Sequence, residues 1–225
     1  MFSKRLRDML GGSVPGEQRQ DKLGNQPQQQ EQPEVRSSHG LEQFFSALRD
    51  TVGLSLLDMG GASQANVSFI TSLGHRLYSE DFIRSMEQTF GTADFYANQG
   101  DPARVDTFLQ QMLTFPDGHF DGALVWDAFQ FMSPALLHPT IEQLSRILRP
   151  NAYLLAYFHA DERAATVPSF SYRITDAKTL LLSRRSRREP AQFFNNRSVE
   201  KLFKNFQSVK FFLTRDQLRE VLVKR

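Results

Sequence analysis

The chain has no cysteine among its 225 residues, which excludes disulfides and thiolate metal sites and fits a reducing compartment. None of its apolar runs approaches the roughly 18 residues that a membrane-spanning helix needs. The five histidines show none of the paired spacings that are typical of metal ligands. These absences predict a cytoplasmic protein with no transmembrane segment and no metal site.

Apolar residues are scarce between residues 11 and 37, where glutamine, glycine and proline dominate. Such a segment cannot bury enough apolar surface to offset the entropy lost on ordering. We therefore expect a disordered N-terminal tail over 1–37 and one folded domain over 38–225, which is long enough to bury a core of normal size.

The charge is unevenly distributed along the chain. Residues 181–225 hold 12 Lys and Arg against 4 Asp and Glu, whereas residues 1–180 hold 15 against 21. The densest basic run consists of Arg184, Arg185, Arg187 and Arg188. It is typical of phosphate contact with RNA or another polyanion, or of a solvated helix end or loop; both interpretations stay open.

Apolar patterning predicts helices and strands that alternate from residue 41 to residue 159. Predicted strands cover 54–58, 75–79, 94–97, 120–127 and 153–158; predicted helices cover 41–48, 64–73, 80–89, 102–113 and 140–148. A polar interval over 160–192 precedes a helix over 198–206 and a hairpin of strands 208–213 and 218–223. This order predicts an α/β, Rossmann-like doubly wound sheet, mostly parallel with one antiparallel strand near the C-terminus.

The segment that follows the first strand is the main candidate for a ligand site. Asp58 ends an apolar run, and Gly60, Gly61 and Ala62 lead into a helix. Small residues let the backbone pass close to a ligand, and a helix start offers free amide groups to it. An ordinary strand-to-helix turn has the same composition.

Three segments, in this order, resemble class I S-adenosylmethionine-dependent methyltransferases, and the resemblance extends over about residues 40–225. Residues 56–61 (LLDMGG) look like the first motif of that family, 115–126 (FPDGHFDGALVW) like the entry into its fourth strand, and 144–155 (LSRILRPNAYLL) like its next helix and strand. The closing hairpin is similar to its last two strands. The resemblance implies methyl transfer from S-adenosylmethionine to a small-molecule or macromolecular acceptor that the sequence does not identify.

The first motif departs from the family pattern. Ala62 and Gln64 stand where the second and third glycines of Gly-x-Gly-x-Gly are usual. Reduced cofactor affinity would leave a non-catalytic binding module of the same fold, docking RNA or another polyanion. A nicotinamide-dependent oxidoreductase fits less well, because its fingerprint is Gly-x-Gly-x-x-Gly and its sheet lacks the antiparallel strand.

The resemblance also implies roles for individual residues. Gly60, Gly61 and Ala62 would contact the methionyl part of the cofactor through the backbone. Asp58 would orient the turn and approach the ammonium end of the cofactor; alternatively, it caps nearby amide groups at the end of a strand.

Two further acids are candidates for the nucleoside part. Glu80 follows the second strand and would accept bonds from the ribose hydroxyls, although Glu80 and Asp81 also suit the first turn of a helix. Asp101 would receive the adenine amino group, or is simply a loop residue before Pro102.

The end of the fourth strand faces the methyl acceptor in the resemblance. Asp127 is the candidate catalytic residue, which would orient or deprotonate the acceptor, and Trp126 would form a wall of the pocket. Alternatively, Trp126 belongs to the core and Asp127 caps the next helix. His159, at the end of the fifth strand, is a weaker candidate for the rim.

Overall fold

The computed structural model describes residues 32–161, 163–212, 214 and 218–225. Its larger sheet has the strand order β3-β2-β4-β5-β9-β8. These strands are β2 (Ser55–Asp58), β3 (Arg76–Ser79), β4 (Phe120–Trp126), β5 (Leu148–His159), β8 (Ser208–Phe212) and β9 (Leu218–Lys224). The pairs β2–β3, β2–β4 and β4–β5 are parallel, and only β9 runs against its neighbours. The predicted fold class is confirmed.

Helices and apolar clusters cover both faces of this sheet. The helices are α1 (His39–Leu48), α2 (Gln64–Ser72), α3 (Phe82–Phe90), α4 (Phe95–Asn98), α5 (Pro102–Met112), α6 (Pro134–Ile147) and α7 (Asn196–Leu202). Successive residues of β4 point to opposite faces, so Val125 joins the cluster with α3, α5 and α6, while Leu124 joins the cluster with α1. Burial on both faces explains the near-continuous apolar run of β4.

A second, antiparallel sheet has the order β1-β7-β6, and the sequence did not predict it. Its strands are β1 (Glu34–Ser37), β6 (Val167–Asp176) and β7 (Thr179–Arg188). The interval 160–192 is therefore largely a β-hairpin, and β1 shows that residues 34–37 are not part of a disordered tail. The remaining tail prediction, for residues 1–31, lies outside the described residues.

Smaller differences concern the ends and types of elements. The predicted strand 94–97 is wrong, because Phe95–Asn98 form the short helix α4. The helix predicted over 140–148 begins earlier, at Pro134, and the strand predicted over 153–158 begins at Leu148. No helix in the described part has both the length and the apolar character needed to cross a bilayer.

Candidate functional site

The turn after β2 and the segment after β3 are hydrogen-bonded to each other at the carboxyl edge of the sheet. The Glu80 amide donates to the Asp58 carbonyl at 2.9 Å, and the Gly61 amide donates to the Glu80 carbonyl at 3.1 Å. Gly60 also forms an isolated bridge with Asp81. The glycine turn and the predicted ribose acid are thus neighbours, at the edge where open α/β sheets bind ligands.

Asp58 is completely buried and accepts hydrogen bonds on both carboxylate oxygens. Its Oδ1 accepts from the Gly60 amide at 2.9 Å and from Trp126 Nε1 at 2.6 Å; its Oδ2 accepts from Asn66 Nδ2 at 2.8 Å. Burial raises the pKa of Asp58, and these three bonds oppose the rise. Asp58 therefore organises the turn, as the sequence suggested, but none of its surface reaches solvent.

Trp126 lies directly against the turn. A Cβ atom added at Gly60 would be 2.7 Å from Trp126 Cδ1, so only glycine fits beneath the indole. The indole is buried and stacks on Tyr172 of β6, with ring centroids 4.7 Å apart and planes 8° from parallel. Trp126, which was predicted to form a pocket wall, thus packs directly against the turn and leaves no space between them.

The outer part of the turn is open. Ala62 and Gln64, the two departures from the glycine pattern, are both exposed, and Gln64 bonds Ser68 of its own helix. Gly61 adopts φ +90°, a conformation that favours glycine. The Ser63 side chain does not cap α2. Neither Ala62 nor Gln64 is buried against the turn.

The two acids after β3 have different surroundings. Asp81 caps α3 by accepting from the Arg84 amide at 3.1 Å, and its two oxygens accept from Arg185 of β7 at 3.0 and 2.6 Å. Glu80 is exposed beside the turn. Of the two acids, Glu80 is the one whose side chain is accessible to a ligand.

Asp127 lies beneath the second sheet, with 2% of its surface exposed. Its Oδ2 accepts from the Phe170 amide of β6 at 3.0 Å. Burial raises the pKa of Asp127 to about 7, and the bond from Phe170 limits the rise. Its side chain makes no capping bond to the short 3-10 helix Ala128–Phe131.

His159 lies beside a cavity of about 270 Å³ that Phe170 also lines. Its Nε2 is 2.9 Å from the Pro168 carbonyl oxygen; since a carbonyl only accepts, Nε2 carries the hydrogen. Burial lowers the pKa of His159 to about 4, so the ring is neutral at pH 7. His159 thus lines a cavity, and its predicted place at the rim of an acceptor pocket stays a prediction.

Asp101 and the arginine run are occupied by contacts within the chain. Asp101 caps α5 by accepting from the Ala103 amide at 3.0 Å. The arginines lie on β7, so they form neither a helix end nor a loop. Arg188 bonds Glu87 of α3, and Arg187 bonds Thr166.

Asn66 and Tyr172, which sequence reasoning did not single out, hold this edge together with Arg185, which it had assigned to a polyanion. Asn66 donates to Asp58 and to the Tyr172 carbonyl at 3.0 Å, and accepts from the Ile174 amide at 2.8 Å. Tyr172 covers Trp126, and Arg185 pairs with Asp81. Alternating apolar residues in β6 were a usable signal for Tyr172; nothing in the sequence distinguished Asn66.

No family model matches this chain, and no curated protein matches it significantly. Some solved structures do. A SAM-dependent methyltransferase of Methanosarcina mazei is 16% identical over 78% of this chain and 93% of its own, with a TM-score of 0.44. One from Aquifex aeolicus is 13% identical over 82% and 88%, with a TM-score of 0.40.

A third similar structure is the 1,6-didemethyltoxoflavin-N1-methyltransferase of Burkholderia thailandensis, which was solved with its substrate and S-adenosylhomocysteine. It is 12% identical over 84% of this chain and 79% of its own, with a TM-score of 0.43. The chain is similar to methyltransferases of known structure. Because these TM-scores are below 0.5, the functional proposal rests on the strand order and the site residues of this chain.

Proposed function

We propose that the chain is an S-adenosylmethionine-dependent methyltransferase. The observation that carries the proposal is the hydrogen-bonded pair formed by the Gly60–Gly61 turn and Glu80, at adjoining carboxyl ends of the parallel strands β2 and β3. The sheet is mostly parallel and β9 alone is reversed, which agrees with the predicted fold class.

The residues around the turn partly fit this cofactor. Exposed Glu80 would accept hydrogen bonds from the ribose, and the backbone at Gly61 and Ala62 would face the methionyl part, beside an α2 start that Ser63 leaves uncapped. The ammonium end of the cofactor does not fit next to Asp58 in the described conformation, because the Trp126 indole is bonded to Asp58 there. Asp101 caps α5 through Oδ1, so its proposed contact with adenine would use Oδ2, which lies 3.6 Å from Arg104 Nε.

When bound, S-adenosylmethionine supplies an electrophilic methyl group, so the chain must chiefly align the acceptor and exclude water. Asp127 would orient the acceptor and take up its proton. A carboxyl with a pKa of about 7 suits that role, because both of its protonation states are populated at neutral pH. Acceptor access requires the Asp127–Phe170 bond to open.

Isothermal titration with S-adenosylhomocysteine tests the proposal directly. We expect saturable binding by the wild-type chain and a weaker affinity for Gly61→Val, which forces a β-branched residue into φ +90° beside the ligand. Ala62→Gly, which restores the usual glycine, is the matched variant and should bind at least as well as the wild type. Absence of binding at millimolar ligand in all three proteins would contradict the proposal.

A second candidate is a non-catalytic binding module of the same fold. The burial of Asp58, Trp126 and Asp127 under β6 favours it, because a closed inner crevice needs no cofactor to be stable. RNA or another polyanion is the partner proposed from the arginine run. Since Arg185 and Arg188 already pair with Asp81 and Glu87, such a partner would have to compete with those ion pairs. Salt-dependent retention on immobilised RNA, lost in Arg184→Gln/Arg187→Gln, would support it.

A further inference from the structure

The backbone of Trp126 is unusual. Its φ is +56°, in the left-handed region, where bulky residues are rare. Such a conformation persists only when its surroundings hold it, and it is concentrated at functional sites. It occurs here at the carboxyl end of β4, directly against the glycine turn.

The indole of Trp126 occupies the inner face of the proposed site. Its Nε1–H donates to Asp58 Oδ1 at 2.6 Å, and its ring fills the space next to Gly60. The three groups that donate to the Asp58 carboxylate are neutral: an indole, an amide side chain and a backbone amide. Hydrogen bonds from a cationic donor to a carboxylate are about twice as strong as neutral ones, so an ammonium group would compete well for this oxygen.

Contacts from β6 hold the indole in place. Tyr172 stacks on one side of it, and Tyr157 lies nearly parallel with its centroid 5.9 Å away. Asn66 links the same region together, because it bonds both Asp58 and the backbone of β6. The indole, the turn and β6 therefore form one connected arrangement around a single carboxylate.

We propose that Trp126 is a gate that controls which ligands bound at the Gly60–Gly61 turn reach the Asp58 carboxylate. A ligand that carries an ammonium group reaches Asp58 only when the indole leaves it, whereas a ligand without that group binds at the Glu80 side with the gate closed. The inference rests on the proposed function, and it adds a specificity-determining residue to it.

The chain provides its own reporter, since Trp126 is the only tryptophan in the sequence. We expect S-adenosylhomocysteine to change its emission saturably and to increase its quenching by acrylamide, because the indole moves from a buried to an exposed position. Adenosine, which lacks the aminoacyl group, should bind without either change. Calorimetry on the same samples establishes that each ligand is bound.

Trp126→Phe removes the indole N–H and part of the ring but keeps an aromatic residue in the stack. We expect it to bind S-adenosylhomocysteine about fivefold more tightly than the wild type, the factor that one displaced hydrogen bond is worth, with no change for adenosine. Tyr172→Phe is the matched control: it removes a hydroxyl that interacts with Asp127 but keeps the ring on Trp126 and the Asp58–Trp126 bond, so its affinities for these two ligands should equal those of the wild type. Circular dichroism checks that both variants fold.

The outcomes separate this inference from the proposed function. Binding of S-adenosylhomocysteine with unchanged emission, together with an unchanged affinity in Trp126→Phe, would overturn the gate and leave the proposed function standing. Binding by Trp126→Phe but not by the wild type would overturn the gate, because the indole would then block the ligand permanently, and it would leave the wild-type chain without the binding that the proposed function requires. No binding by either protein would overturn the proposed function and the gate with it.

Discussion

The two halves of the carboxyl edge differ in what covers them. Beyond β3, Glu80 and the outer turn at Ala62 are exposed. Beyond β4 and β5, Trp126, Asp127 and His159 are almost completely buried, and β6 lies over them. The half that would hold a ribose is open, whereas the half that would hold a methyl acceptor is closed by the chain itself.

The acidic residues along this edge differ in what their carboxylates contact. Asp58 and Asp127, in the covered half, use their oxygens to bind the surrounding protein. Glu80, in the open half, contributes its backbone to the turn and leaves its carboxylate accessible. In this chain an acid at the end of a strand is directly accessible to a ligand at Glu80, whereas Asp58 and Asp127 become accessible only if the contacts that cover them open.

The largest expected effect is on the covered half. Asp58→Ala leaves the Trp126 indole N–H and one of the two Asn66 side-chain N–H groups buried without an acceptor, and each such group costs about 1–3 kcal/mol. We expect the free energy of unfolding to fall by about 3 kcal/mol, measured by urea denaturation. Asp101→Ala, which removes only an exposed helix cap, should cost about 1 kcal/mol. Equal losses in the two variants would contradict the role given to Asp58.

Asp127 predicts a pH dependence. Its pKa rises from 3.8 in the unfolded chain to about 7 in the folded one, so the folded state binds the proton more tightly. Stability from this group is therefore greatest at low pH and falls as pH rises from about 4 to about 7. His159, whose pKa falls to about 4, has the opposite effect over pH 4–6.5. A variant that changes Asp127 and retains His159 separates the two contributions to the pH dependence of stability.

Asp127→Asn stays neutral at every pH, and its amide oxygen can still accept from Phe170. At pH 8 we expect its free energy of unfolding to exceed that of the wild type by about 2 kcal/mol, and we expect this difference to shrink towards pH 4. Urea midpoints at pH 5, 6.5 and 8 measure this. Parallel curves for the two proteins would show that Asp127 does not titrate in this range.

The sheet could be predicted because its strands carry the signal locally. Buried strands such as β4 appear as apolar runs, and glycines mark the turns that follow. The β6–β7 hairpin carried a signal too, since Tyr172 and Ile174 alternate with polar residues and β7 begins with the apolar run 180–182. The arginines at the far end of β7 obscured it, because charge density suggested a solvated loop.

The site could be predicted only in part, because its closure depends on distant pairs. Asp58 and Trp126 are 68 positions apart, and Asp127 and Phe170 are 43 apart. No local pattern indicates that a tryptophan will take a left-handed backbone and turn towards an aspartate. The short strand predicted at 94–97 failed for a similar reason: Phe95 packs edge-on against Phe90, and Tyr96 bonds the distant Glu189 carbonyl.

A smaller effect is expected where the two halves are joined. Arg185→Gln removes the ion pair between β7 and Asp81, whose side chains are 30% and 26% exposed. We expect a loss of about 1 kcal/mol in urea denaturation, because partly exposed pairs contribute little. Arg173→Gln removes the same charge from the hairpin together with the bond from Arg173 to Ser183, and should cost less. If Arg173→Gln costs as much, the loss comes from charge and not from the contact with Asp81.

The smallest effect on stability is expected in the open half. Glu80→Gln changes an exposed side chain and keeps the backbone bonds that link β3 to the turn, so the free energy of unfolding should stay within about 0.5 kcal/mol of the wild type. The affinity for S-adenosylhomocysteine should nevertheless fall about fivefold, because bonds from ribose hydroxyls to a carboxylate are stronger than those to an amide. Glu87→Gln, on the next helix, controls for the loss of one negative charge. An unchanged affinity in Glu80→Gln would place the ribose elsewhere along the edge, whereas a loss of stability would mean that Glu80 belongs to the structural acids of the covered half.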